Sequence, residues 1–115
     1  QGEVILAEEP VEIDVNELSR LIAEREALVI DVRETDEYEG EHIPGTLLLP
    51  LSFLDADLFP VISDRRAVIV CQVGKRSAAA AKQLMKVGVP DVVSVAGGID
   101  SWIESGLELE GTKHE

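Results

Sequence analysis

A single cysteine excludes any internal disulfide. Two histidines, His42 and His114, lie far apart in the chain, so a zinc site of clustered thiols and imidazoles is excluded as well. Aromatic residues make up only 3% of the sequence, which leaves Val, Ile, Leu and Ala to fill a core. No apolar run approaches the roughly 18 residues that a membrane-spanning helix requires. Positive charge is scarce: 10 Lys and Arg stand against 23 Asp and Glu, a net charge of −13. Such a surface repels phosphate backbones and anionic lipid, so neither nucleic acid nor membrane is expected as a partner. The charge serves solubility first, and an acidic face for a basic protein is the minority reading. The opening "QGEVILAEEP" lacks the basic region of a secretory signal, so the expected location is cytoplasmic, with Gln1–Gly2 read as a cloning remnant.

What remains is a chain of 115 residues, 45% hydrophobic, without repeats or low-complexity tracts. That length predicts one domain spanning residues 1–115, with a frayed tail over about 111–115. Short apolar runs alternate with helical patterns. "IDVNELSRLIAE" predicts a short strand, then a helix capped by Asn16 with Leu18, Leu21 and Ile22 on one face. "ALVIDV" (Ala27 to Val32) and "AVIVC" (Ala67 to Cys71) have the length and continuity of strands buried on both faces. "ETDEYEGEH" reads as a short helix, "IPGTLLLP" as a turn and a strand, and "SFLDADLFPVI" as a serine-capped helix interrupted by Pro60. "SAAAAKQLMKVG" is the strongest helix, "DVVSVAGG" a strand, and "IDSWIESG" a short helix. The alternation implies an α/β fold with a largely parallel sheet covered by helices on both faces. Ligands of such sheets bind beyond the carboxyl ends of the strands, where Cys71 falls.

A lone cysteine at the end of an apolar strand is most often an inert core residue. That account leaves the following residues, "QVGKRS", unexplained. The loop feeds a helix N-terminus whose first amides carry partial positive charge, and Lys75 and Arg76 add full charges. All three influences favour thiolate over thiol. Gly74 lets the backbone curl, so that amides converge on one point. A nucleotide P-loop is excluded twice, because Ile69 replaces its first glycine and Arg76 its Ser/Thr. A redox centre would carry a second, resolving cysteine, so a covalent sulfur intermediate would need an external acceptor.

"CQVGKRS" resembles the active-site loop C-x-x-G-x-R-S of rhodanese-like domains. "DVRETDEYEGEHIPGTLLLP" (Asp31 to Pro50) resembles that family's D-x-R-x-x-x-E-[YF] segment and its following H-I-P-G turn, and "VVSVAGGIDSW" its third signature. The three lie in family order and span nearly the whole chain. Departures are Glu41, where the family has glycine before the histidine, and "TLLLP", which replaces an alanine–asparagine pattern. The resemblance implies a rhodanese-like domain around a five-stranded, mostly parallel sheet. It also implies sulfurtransferase chemistry: Cys71 takes the outer sulfur of a donor such as thiosulfate as a persulfide and passes it to cyanide or a thiol. No cofactor beyond that covalent persulfide is implied, and no metal. Backbone donors over Gln72, Val73, Gly74, Lys75, Arg76 and Ser77 would hold the sulfur, with Lys75 and Arg76 holding a small anionic donor. Asp31 and Arg33 would brace the loop or help hold substrate; the plainer account is a surface ion pair.

Other readings compete. Phosphatase or arsenate-reductase chemistry on this fold uses C-x5-R, but Arg76 is the fifth residue after Cys71, one short of that loop. A noncatalytic module would typically lack the cysteine or the cations. A sulfur-relay module would serve a protein partner or a larger polypeptide. His42, in "HIPG", is expected to be structural, Gly97–Gly98 to form a strand-to-helix turn, Trp102 and Met85 to fill core, and His114 to have no role.

Overall fold

The two continuous apolar runs become the centre of the sheet. In the computed structural model, which describes residues 9–59 and 64–115, they form β2 (Ala27–Asp31) and β4 (Arg66–Val70), paired in parallel with Val29 opposite Val68. Three shorter strands, β1 (Val11–Ile13), β3 (Leu47–Leu48) and β5 (Val93–Val95), complete a parallel sheet of order β1-β5-β4-β2-β3. The helices are α1 (Val15–Ala23), α2 (Thr35–Gly40), α3 (Lys75–Lys86) and α4 (Gly98–Glu104).

Alternation along the strands divides the core in two. Val29, Val68, Val70, Val93 and Val95 pack with α1 and α4, including Trp102. Ile30, Val32, Ala67 and Ile69 point the other way, toward Ala80, Ala81 and Leu84 of α3. Small alanines let α3 lie close on the sheet, and Met85 packs against the same cluster. The expected two-faced α/β architecture is therefore what the chain adopts.

Three local expectations differ. Helix α1 is capped by Asp14, whose carboxylate accepts the Glu17 N–H at 2.8 Å, and not by Asn16. Starting there places Val15 with Leu18 and Leu21 on the buried face. The segment after Pro50 forms two 3-10 turns, Leu51–Phe53 and Ala56–Leu58, in place of the expected helix. Asp55 turns its side chain back onto the Asp57 N–H at 3.1 Å, a local bond that competes with helix. Helix α3 begins at Lys75, so Arg76 and Ser77 belong to its first turn. In the C-terminal tail Thr112–His114 form a 3-10 turn, and His114 meets Glu41 at 3.1 Å. Gln1–Gly2 and Pro60 lie outside the described residues. Among the described residues, no helix is long and apolar enough to cross a membrane.

Candidate active site

Parallel strands β2 and β4 run side by side, so the residues that follow them emerge together at the carboxyl edge. Asp31 lies opposite Val70, and Val32 N–H donates to Val70 O at 3.0 Å, which brings Asp31, Arg33 and Cys71 into one neighbourhood. The turn after β5 forms the floor. Ile99 and Asp100, at the start of α4, donate their N–H groups to the carbonyls of Cys71 and Gln72 at 2.9 and 3.0 Å. Gly98 is required there, since a Cβ would sit 2.2 Å from Cys71 O. The Gly97–Gly98 turn is thus a strand-to-helix connection that also seats the cysteine loop.

Gly74 takes a left-handed conformation, φ +106°, and caps α3. That reversal folds the loop around the sulfur: the Gly74 and Ser77 N–H groups donate to Cys71 Sγ at 3.1 and 3.2 Å. Ser77 Oγ lies 3.5 Å from the sulfur, bonds Gly74 O at 3.1 Å and meets Ser94 Oγ of β5 at 2.7 Å. Both serines are fully buried, and among the described residues their hydroxyls meet each other, the loop carbonyl and the sulfur. The arrangement aims oriented N–H dipoles at the sulfur.

Cys71 itself is 0% exposed and belongs to the core cluster beneath α3, which corrects the expectation of a thiol at the rim. The strand carries its side chain inward while the loop amides close over it. Burial and amide convergence occur together.

Arg33 and Asp31 are 1% and 0% exposed, so a surface ion pair does not describe them. Arg33 Nε and Nη2 grip both Asp31 oxygens at 3.0–3.2 Å, Nη2 also reaches Glu41 O at 2.7 Å, and Nη1 donates to Gln72 Oε1 at 2.9 Å. Gln72 Nε2 in turn donates to Asp100 at 2.6 Å. The side chain following the cysteine is therefore clamped from two elements. Val73 is exposed, and Lys75 is exposed at the first position of α3.

Arg76 is not free. Its Nη1 and Nη2 donate to the two oxygens of Glu37 on α2 at 2.8 and 3.0 Å. These bonds hold the Glu37 carboxyl at about 2, assisted by the Glu34 N–H, and raise the Arg76 guanidinium above its ordinary value. Sequence reasoning assigned no role to Glu37, Ser94 or Asp100. Glu37 carried one signal, its place in the motif shared with Asp31 and Arg33; Ser94 and Asp100 carried none. His42 stacks on Tyr38 at 3.8 Å and bonds Tyr38 O and Glu110, tying α2 to the C-terminal segment, a structural position.

The family profile described as Rhodanese-like domain matches residues 14–105. Among curated relatives, thiosulfate sulfurtransferase GlpE of Coxiella burnetii is 30% identical over 82 residues, 71% of this chain and 77% of that protein. The putative sulfur carrier protein YrkF of Bacillus subtilis is 33% identical over 92 residues, 79% of this chain and 50% of that protein. Three of the curated relatives are spanned by the chain over only 50–62% of their length. The crystal structure of a rhodanese-related protein from Thermoplasma volcanium superposes with a TM-score of 0.77 at 32% identity, covering 87% of this chain and 97% of that one.

Proposed function

The chain belongs to the rhodanese-like domain family, and from that membership we propose that it is a sulfurtransferase working through a persulfide on Cys71. The observation that carries this reading is the pair of N–H groups aimed at Sγ from Gly74 and Ser77. Relatives that include a thiosulfate sulfurtransferase and a putative sulfur carrier support the general class.

The Cys71 thiolate attacks the outer sulfur of thiosulfate. A new S–S bond forms, the donor S–S bond breaks, and its electron pair leaves with sulfite. The first amides of α3, those of Lys75 and Arg76, lack intrahelical acceptors and stand beside the loop to receive the persulfide's terminal sulfur. Cyanide then attacks that sulfur, giving thiocyanate and restoring the thiolate; a thiol acceptor would carry the sulfur away as its own persulfide. The sulfur rides on the protein, so the reaction calls for no metal or organic cofactor. Lys75, exposed at the first position of α3, supplies a cation for an anionic donor, and Arg33 holds Gln72 and hence the loop in register. A relay role with a protein donor or acceptor uses the same sulfur and the same loop.

Intact mass spectrometry after incubation with thiosulfate tests the reading. Wild-type protein gains one reducible sulfur, and Cys71→Ser gains none. Absence of that adduct across thiosulfate, polysulfide and protein-persulfide donors sinks the proposal. Hydrolysis of an aryl phosphate by the wild type, lost in Cys71→Ser, would favour oxyanion chemistry instead.

A further inference from the structure

Two cations follow the cysteine in the loop sequence, and their surroundings differ. Among the described residues Lys75 has no ion-pair partner, whereas Arg76 is engaged by both oxygens of Glu37. A bidentate carboxylate fills the guanidinium face that a donor oxyanion would use. Glu37 reaches across from α2, which follows β2, to α3, which follows β4, so the pair bridges the two sides of the site. Both side chains keep about a third of their surface exposed, 31% for Glu37 and 37% for Arg76, so a small solute can reach the pair. Glu37 is anchored independently, because Oε1 accepts the Glu34 N–H at 2.9 Å in a capping box that fixes it at the start of α2.

We propose that Glu37 is the residue that sets donor charge preference, acting as a resident anion on Arg76 that a small anionic sulfur donor must displace. The inference rests on the sulfur-transfer reading of Cys71 and adds a selectivity that the family motif alone does not supply. Of the two cations that follow the cysteine, Glu37 leaves one, Lys75, without a paired carboxylate among the described residues. Dianionic thiosulfate is then held less tightly than the loop sequence implies, and neutral or singly charged thiol-derived donors are penalised less. Glu37 is a positioning residue for Arg76; it does not touch the sulfur.

Charge preference is measured apart from sulfur transfer by alkylating Cys71 with iodoacetate and iodoacetamide, which are similar in size and differ in charge. In Glu37→Gln the iodoacetate-to-iodoacetamide rate ratio rises about three- to tenfold at low salt, as one added positive charge a few ångströms from the path predicts. Glutamine keeps the oxygen that accepts from Glu34 N–H, so α2 retains its cap. Arg76→Ala lowers the ratio, because Glu37 is left unbalanced, and Glu37→Gln with Arg76→Ala returns it to within about twofold of wild type. Lys75→Ala lowers the ratio and shows that the probe senses charge at the site.

The thiosulfate KM falls in Glu37→Gln while the KM for a neutral donor does not. An unchanged ratio in Glu37→Gln, with Lys75→Ala responding, overturns the proposal. So does failure of both reagents to alkylate the wild type, since a donor-sized solute must reach the sulfur. If no donor loads sulfur on Cys71, the sulfur-transfer reading fails, while the alkylation ratios still decide the role of Glu37.

Discussion

Two arginine–carboxylate pairs flank the cysteine loop, and water reaches only one of them. Arg33–Asp31 is sealed, with both side chains at 1% exposure or below, and the arginine also donates to Glu41 O and Gln72. Arg76–Glu37 has equally good bidentate geometry but sits a third exposed between two helices. Similar bonds in different surroundings have different uses. A sealed pair cannot be opened without stranding a charge in the core, so it works as scaffold. An exposed pair exchanges with solvent and with anions at little cost, so it can be part of binding.

The comparison is broken first by Arg33→Ala. Removing the guanidinium leaves the buried Asp31 carboxylate uncompensated and Gln72 without one of its clamps. A loss of about 3–5 kcal/mol in urea denaturation is expected. A loss below about 1 kcal/mol would mean that the sealed pair is not scaffold. Glu37→Gln sharpens the contrast, with a stability change of about 1 kcal/mol or less by the same measurement.

The smallest effect is the acid dependence of that difference. The Glu37 carboxyl is lowered from 4.5 to about 2 by the Arg76 hydrogen bonds, so its contribution is fully present above pH 4.5 and fades as pH falls toward 2. The stability gap between wild type and Glu37→Gln should close over that interval, measured with both proteins in parallel. A gap that persists at pH 2 would remove ion pairing as its cause.

Legibility followed range along the chain. β2 and β4 were readable because a strand buried on both faces needs an unbroken apolar run, and "ALVIDV" and "AVIVC" are the clearest in the sequence. Helix α3 was readable from its alanines, but its start was misplaced by two residues, since Gly74 caps it through backbone conformation and without a side chain. Asn16 lost the cap of α1 to Asp14 because burial of Val15 chose between two adequate capping residues. The helix expected after Pro50 gave way to two turns whose Leu51, Leu54, Ala56 and Phe59 pack against the α3-side core, a contact no local pattern encodes. In the site, Cys71, Gly74 and Ser77 could be read from one heptapeptide. Ser94, Asp100 and Glu37 arrive from other elements, 17, 28 and 39 residues from their loop partners.

From the order of residues alone came the kind of fold, the cysteine and the turn that curls around it, because strand runs, helix periodicity and a glycine-bearing loop act over a few neighbouring residues. Tertiary structure decided that the sulfur is covered, that Arg33 serves the loop through Gln72, and that Arg76 is already occupied. Those outcomes depend on which segments meet once parallel strands bring their carboxyl ends together, and charge and burial act through space whatever the separation along the chain.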